Sequence, residues 1–273
     1  MLKCRIIPVI LLRNGSIVQS RQFNRYQVLG SPFAAVERLS SWCSDELIYL
    51  DISNQEFQLG RQDLGGGSQA SDIMEVITRM SEKCFMPLTF GGGVRSIIDV
   101  RQRLKLGADK VTFNTSAQEN EALIKESVSL FGSQCVVLSV DAKQLSPGQY
   151  AVYHKASKTS GKELTDFVKK MQDIGVGEIL LNSVDQDGAG NGFDIPLIQQ
   201  VCEISQVPVI ALGGAGSIED FEAVLTQTNV SAVAAANYFQ HSENSVYVLK
   251  KHLYQQGYNV RMPPPLSDES DHL

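Results

Sequence analysis

Pro87-Leu88-Thr89-Phe90-Gly91-Gly92-Gly93, followed by Ser96 and Asp99, returns 121 residues later as Pro208-Val209-Ile210-Ala211-Leu212-Gly213-Gly214, followed by Ser217 and Asp220. Each copy is an apolar run that ends in glycines and leads into a helix start. A glycine turn lets backbone N–H groups approach an anion closely, and a helix N-terminus adds the positive end of its dipole. Two such cradles at half-chain spacing point to a duplicated half-barrel that holds a substrate by two phosphates.

Working outward, short runs rich in Val and Ile alternate with longer amphipathic stretches. Eight strands are expected: Arg5–Leu12, Leu47–Ile52, Met86–Phe90, Lys110–Phe113, Cys135–Val140, Glu178–Asn182, Val207–Leu212 and Ala232–Ala236. Helices are expected over Ser71–Lys83, Ile97–Leu106, Glu121–Leu130, Leu164–Ile174 and Ile218–Leu225. Strands that are apolar throughout are buried on both faces, as in a parallel sheet. Eight βα units match the α/β class and a single (β/α)8 TIM barrel with a half-barrel internal repeat; a doubly wound open sheet is the alternative. The barrel is placed at residues 1–261, with 262–273 as a frayed, flexible tail. Function then belongs on the loops after the strands, the longest being Arg13–Gly30, Ser53–Ser71 and Ala142–Ser160. The second, rich in Gly and Gln, reads equally as a mobile lid or a plain solvated loop.

Composition narrows the function. The net charge is −6 and 43% of the residues are hydrophobic, which suits a globular domain and argues against a general nucleic-acid or membrane-surface binder. The five cysteines (Cys4, Cys43, Cys84, Cys135, Cys202) are scattered and odd in number, which fits a reducing cytoplasm. The apolar start is too short to span a membrane. None of His154, His241, His252 or His272 shows metal-ligand spacing, so no metal or other cofactor is expected. Trp42 reads as a helix-to-core contact rather than a substrate platform.

The runs RIIP (5–8), DELIYLDIS (45–53), PLTFGGGVR (87–95), GADKVTFNTSA (107–117), FGSQCVV (131–137), DAK (141–143), GEILLNSVDQDGAGNGFD (177–194), PVIALGGAGSIEDF (208–221) and AAANYF (234–239) resemble the cyclase subunit (HisF) family of imidazole glycerol phosphate synthase. The resemblance spans about residues 3 to 261. It implies a barrel that takes ammonia from a partner glutaminase subunit, in a heterodimer, and passes it through the barrel interior to a doubly phosphorylated substrate at the top face. It implies one acid–base aspartate at Asp141. The family's second aspartate falls at Leu11, which cannot exchange a proton, and a family lysine falls at Gln19. It implies phosphate sites at Gly92, Gly93, Asn114 and Thr115, and at Asp187, Gly188, Gly213, Gly214, Ala236 and Asn237. It implies an ammonia gate of Arg5, Glu46, Lys110 and Glu178, with Asp109 facing the partner. Asp51 and Ser53, and Ser183 and Asp185, end the second and sixth strands, where they line the pocket or tie loops together.

Leu11 directs the expected chemistry toward divergent relatives of surface-polysaccharide pathways, which convert a nucleotide-sugar acetamido group to an acetamidino group. The alternatives are an authentic cyclase subunit of histidine biosynthesis and a non-catalytic scaffold that activates a glutaminase.

Overall fold

A computed structural model describes residues 2–53, 73–155, 157–240 and 242–265. Its strands are β1 (Arg5–Arg13), β2 (Ser16–Arg21), β3 (Arg25–Gly30), β4 (Leu47–Asp51), β5 (Leu88–Gly91), β6 (Lys110–Phe113), β7 (Val136–Ser146), β8 (Gln149–His154), β9 (Thr159–Glu163), β10 (Glu178–Ser183), β11 (Val209–Leu212) and β12 (Ala232–Ala235). The helices are α1 (Pro32–Ser41), α2 (Ile73–Ser81), α3 (Ile97–Lys105), α4 (Thr115–Glu119), α5 (Glu121–Phe131), α6 (Leu164–Ile174), α7 (Ile195–Ile204), α8 (Ile218–Gln227) and α9 (Ser245–Gln255).

Eight strands run parallel in the order β1-β4-β5-β6-β7-β10-β11-β12, and β12 returns to β1, so the sheet is closed. This is the expected (β/α)8 barrel, and the open-sheet alternative is excluded by the Arg5↔Ala232 to Pro8↔Ala235 register. Alternation sorts β1 cleanly: Ile7 and Val9 face the barrel interior with Ile48, Val137, Leu180, Ile210, Ala232 and Ala234. Ile6, Ile10 and Leu12 face outward into the larger layer beneath the helices. Trp42 is buried in that outer layer, as a core contact.

Two of the segments expected as loops fold as antiparallel hairpins. Asn14 (φ 49°) and Gly15 (φ 76°) make a two-residue left-handed turn, and β2 then doubles back along β1 before β3 pairs with it. An Asn-Gly pair between apolar residues is a strong hairpin signal, and the loop reading passed over it. After β7, Pro147-Gly148 turns the chain into β8, and β9 follows. The third long segment lies largely outside the described residues.

The N-terminal end of the barrel is tied by a buried charge. Lys250 of α9 is 1% exposed, and its Nζ donates to Asp45 Oδ1 at 2.8 Å and to the Cys43 carbonyl at 2.7 Å. The other Asp45 oxygen accepts the Ile6 N–H at 2.9 Å, so one carboxylate joins α9 to β1. Removing one partner leaves an uncompensated buried charge. Asp45→Ala is expected to cost about 3–5 kcal/mol of unfolding free energy in a urea titration, and a loss within error of zero would show that water replaces the pair.

Candidate functional site at the carboxyl ends of the strands

The parallel strands gather their carboxyl ends at one rim, and the last inward position of β7 before it runs on into the hairpin with β8 is Asp141. It is 7% exposed and accepts from Asn182 Nδ2 (3.0 Å, on Oδ1) and Asn114 Nδ2 (2.9 Å, on Oδ2). Burial raises its pKa, opposed by the Asn182 bond, the Lys155 charge and the Asn114 bond. Asn114 also reaches Ser139 Oγ at 3.3 Å, so its side chain serves Asp141. Thr115 follows as the first residue of α4.

Leu11 is the corresponding inward residue on β1. It packs against the interior apolar cluster, as do Leu50, Leu212 and Ala236. The mouth is therefore divided. The β1, β4, β11 and β12 side is apolar, and the β6, β7 and β10 side carries Asn114, Asp141 and Asn182.

The two hairpins converge over this mouth. Phe23, between β2 and β3, meets Tyr153 of β8 edge-on at 6.1 Å. Lys155 Nζ lies 5.5 Å from the Phe23 ring centre, and the Arg13 guanidinium lies 4.4 Å over the Tyr26 ring. Burial lowers the Lys155 pKa, and the nearby Asp141 and Asp187 charges oppose that shift. Sequence reasoning singled out none of Arg13, Phe23, Tyr26, Tyr153 and Lys155. Only the hairpin geometry brings them to the mouth, although the Asn-Gly turn could have warned of it.

Both glycine cradles form. Gly92 (φ 99°) allows the turn after β5 to pass so close that a Cβ there would sit 2.1 Å from the Asp51 carbonyl oxygen. Gly214 (φ 107°) does the same after β11, where a Cβ would meet the Gly192 carbonyl at 2.0 Å. Gly93 and Gly213 share these left-handed turns. In each copy the aspartate of the repeat caps its helix: Asp99 accepts from the Arg95 and Ser96 N–H groups at 2.9 Å, and Asp220 from Gly216 and Ser217 at 2.8 Å.

Several residues expected at the second phosphate site hold the β2–β3 hairpin. Asp187 accepts from Ser20 Oγ (2.9 Å) and the Phe23 N–H (3.3 Å), and Asn237 Nδ2 donates to the Ser20 carbonyl at 2.8 Å. Gly188 lies against the same carbonyl, 2.1 Å from where its Cβ would stand. Ala236 packs against the interior cluster, as Leu11 does. Asp51 and Ser53 tie loops: Asp51 accepts the Ser53 N–H at 3.0 Å, and Ser53 Oγ accepts the Asn14 N–H at 2.9 Å. Ser183 Oγ donates to Asp194 at 3.2 Å, and Asp185 accepts the Gln144 N–H at 2.8 Å.

At the opposite end, Arg5, Glu46, Lys110 and Glu178 form a closed ring. Arg5 bonds Glu46 at 2.6 Å and Glu178 at 2.5 Å, and Lys110 bonds Glu46 at 3.0 Å and Glu178 at 2.9 Å. Each carboxylate touches both cations. Asp109 is exposed beside the ring and accepts the Leu88 N–H at 2.7 Å. His154 and His252 pair with Glu119 and Glu222; His241 and His272 lie outside the described residues. Among the described residues no group of His, Cys, Asp and Glu could hold a metal ion, and no helix is long and apolar enough to cross a membrane.

The histidine biosynthesis protein family matches residues 5–245. The chain belongs to this family. It is 38% identical over 262 residues to the imidazole glycerol phosphate synthase subunit HisF of Natranaerobius thermophilus, covering 96% of this chain and 100% of that protein. It is 37% identical over 263 residues to the proteins of that name from Streptococcus sanguinis and Streptococcus gordonii, with the same coverage. It is thus a HisF-family enzyme subunit whose barrel carries leucine and aspartate at the two repeat-related strand ends.

The raised Asp141 pKa makes a signed prediction. A carboxyl whose folded pKa exceeds its unfolded value contributes stability below the unfolded pKa and loses it as pH rises through the folded one. Asp141→Asn does not ionise, so its melting temperature relative to the wild type is expected to climb as the pH rises from about 4, the ordinary aspartate value, through the raised folded one. A flat difference across that range would mean that Asp141 titrates as it does in the unfolded chain.

Proposed function

We propose that this chain is the ammonia-using subunit of a glutamine amidotransferase, acting on a phosphorylated small-molecule acceptor held at the top of the barrel. The observation that carries the reading is the pairing of two features at opposite ends of one barrel. A neutral, closed ring of four ionic side chains stands at the bottom, and a desolvated carboxylate, Asp141, stands at the top. Between them lie Thr112 and Ser139, one strand repeat from Asn114 and Asp141 on the inward face. Exposed apolar side chains at the bottom, Leu2 and Phe85, offer a docking face for a glutaminase around the ring.

The relatives' names support cyclisation as the reaction: ammonia joins the phosphoribulosyl formimino substrate, and cleavage with ring closure gives imidazole glycerol phosphate and an aminoimidazole carboxamide ribotide. Asp141 would take or return a proton there, its pKa raised by burial and its carboxylate oriented by Asn114 and Asn182. The apolar packing of Leu11 favours a second reading, amidination of a nucleotide-sugar acetamido group. That reaction needs ammonia and an activated acyl carbon, and it makes no demand for a second proton-transfer group at β1.

One experiment separates the two. Purified protein is supplied with ammonium salt and either the formimino substrate or a nucleotide-sugar acetamido acceptor. Losing one acid–base group costs about 10²–10⁴-fold, so cyclisation is expected to run slower by that order than in a relative with aspartate at that strand end, and Leu11→Asp should restore part of it. Cyclisation at the ordinary rate would remove the second reading; acetamidino product without cyclisation would remove the first. Neither product, with ammonium and with a cognate glutaminase, would sink the enzyme proposal.

The ring has its own test. Glu46→Gln breaks its charge balance, so glutamine-driven turnover with the glutaminase bound is expected to fall more than ammonium-driven turnover. Equal losses in both would assign the ring to stability alone.

A further inference from the structure

The first cradle contains a charge that the second lacks. Arg103 lies on α3, and counting 121 residues along the repeat places Val224 of α8 at its counterpart. Val224 is fully buried, so an apolar side chain is sufficient for the fold at this position. Arg103 is nevertheless 3% exposed. Its Nη2 donates to the Gly92 carbonyl at 3.0 Å and its Nη1 to the Asp99 carbonyl at 3.1 Å, while Nε is buried without a partner.

Both partners are neutral, and no described carboxylate forms an ion pair with the guanidinium. The Asp99 carboxylate is committed to the N–H groups of Arg95 and Ser96 and to the Ser96 hydroxyl. Asp51, also within electrostatic reach, is committed to the Ser53 N–H. A buried cation without an anion is unstable by itself. Space lies beside it: among the described residues, a Cβ on Gly93 would meet only Arg103 Nη2, at 3.8 Å. Asp99 takes the Arg95 and Ser96 N–H groups just before α3, so those donors are not free for an anion, and Arg103 adds a full positive charge at this turn.

We propose that Arg103 is the cation of the first anion cradle, fixing the Gly92–Gly93 turn from behind and taking a phosphate monoester as its counter-ion. That this phosphate belongs to the acceptor rests on the function proposed above; that the site binds phosphate does not. Arg103 acts through the turn and through its charge, so it is a positioning residue.

The test is inorganic phosphate titrated into the full chain by calorimetry, with melting temperature as a second readout. The comparison is wild type against Arg103→Val, the residue of the other half-barrel, and Arg103→Lys. The guanidinium charge behind the turn is lost in the valine variant, so its phosphate affinity at one site is expected to fall by about tenfold or more. Without phosphate, its melting temperature should hold or rise. The lysine variant should lie between, because it keeps the charge but not the fork.

Should the valine variant fail to fold, Gly93→Asp decides. Its left-handed φ of 63° suits aspartate, and the new carboxylate enters the open space beside Nη2. Phosphate binding at that site should then disappear. Unchanged phosphate affinity in either folded variant overturns the proposal, as does a wild type that binds no phosphate at about 10 mM, a level far above typical ligand demands. Ammonium-driven turnover on the same protein keeps the questions apart: phosphate binding through Arg103 with no turnover would remove the proposed function and leave this site standing.

Discussion

The closure of β12 onto β1 and of β7 onto β10 is the constraint from which the rest follows. A parallel sheet that closes must send every strand end with the same polarity to the same rim. The Asn182↔Asp141 and Leu12↔Asp51 registers fix the heights at which those ends stand. Once the register is set, strand alternation leaves no choice about which side chain enters the mouth. Leu11 and Asp141 are inward because Val9 and Ser139 are. The ring at the opposite end follows in the same way, since Arg5, Lys110 and Glu178 open β1, β6 and β10, and Glu46 directly precedes β4.

This explains what could be read from the chain and what could not. The apolar runs showed the eight strands to within a few residues, because a strand buried on both faces has no polar interruption to hide it. The ring residues were placed through the family resemblance, not through the strand pattern, although each lies at the amino end of a strand. Capping by Asp99 and Asp220 is local, and it recurs in both halves. The hairpins were less visible. β2 and β3 expose polar side chains on one face, so their alternation is weak, and Asn14-Gly15 was the one sharp mark. Asn114 and Asn237 read as turn or phosphate residues, yet they bond Asp141 and the Ser20 carbonyl across 27 and 217 residues of chain. No local pattern carries such a partner. Arg103 was hidden differently: on the sequence it looks like one more charge on an amphipathic helix.

With the two halves of the repeat taken as each other's reference, the mouth combines features that agree between them with features that do not. The glycine turns and helix caps agree closely between the halves. The strand ends do not: leucine at one, aspartate at the other. Packing makes the leucine more than a local loss, because it joins Leu50, Leu212 and Ala236 as one apolar wall. A solitary aspartate restored at position 11 would enter that wall with only the rim's water for company, and its own pKa would rise by burial.

Charge is rearranged rather than removed. The Asp141 side of the mouth keeps its desolvated carboxylate and gains Lys155 from the β8 hairpin, with Asp187 and Asp51 in electrostatic range. An ammonium held among three carboxylates, beside the Phe23 ring, lowers the cost of keeping Asp141 ionised. Leucine at the β1 position therefore leaves a site polarised from one side only. Such a site suits a reaction whose proton movements all occur at the Asp141 face, with the acceptor's apolar or uncharged part resting against the Leu11 wall. On the function proposed above, the acceptor's reacting carbon would face β7 and β10, and its phosphate would reach back to the glycine turns.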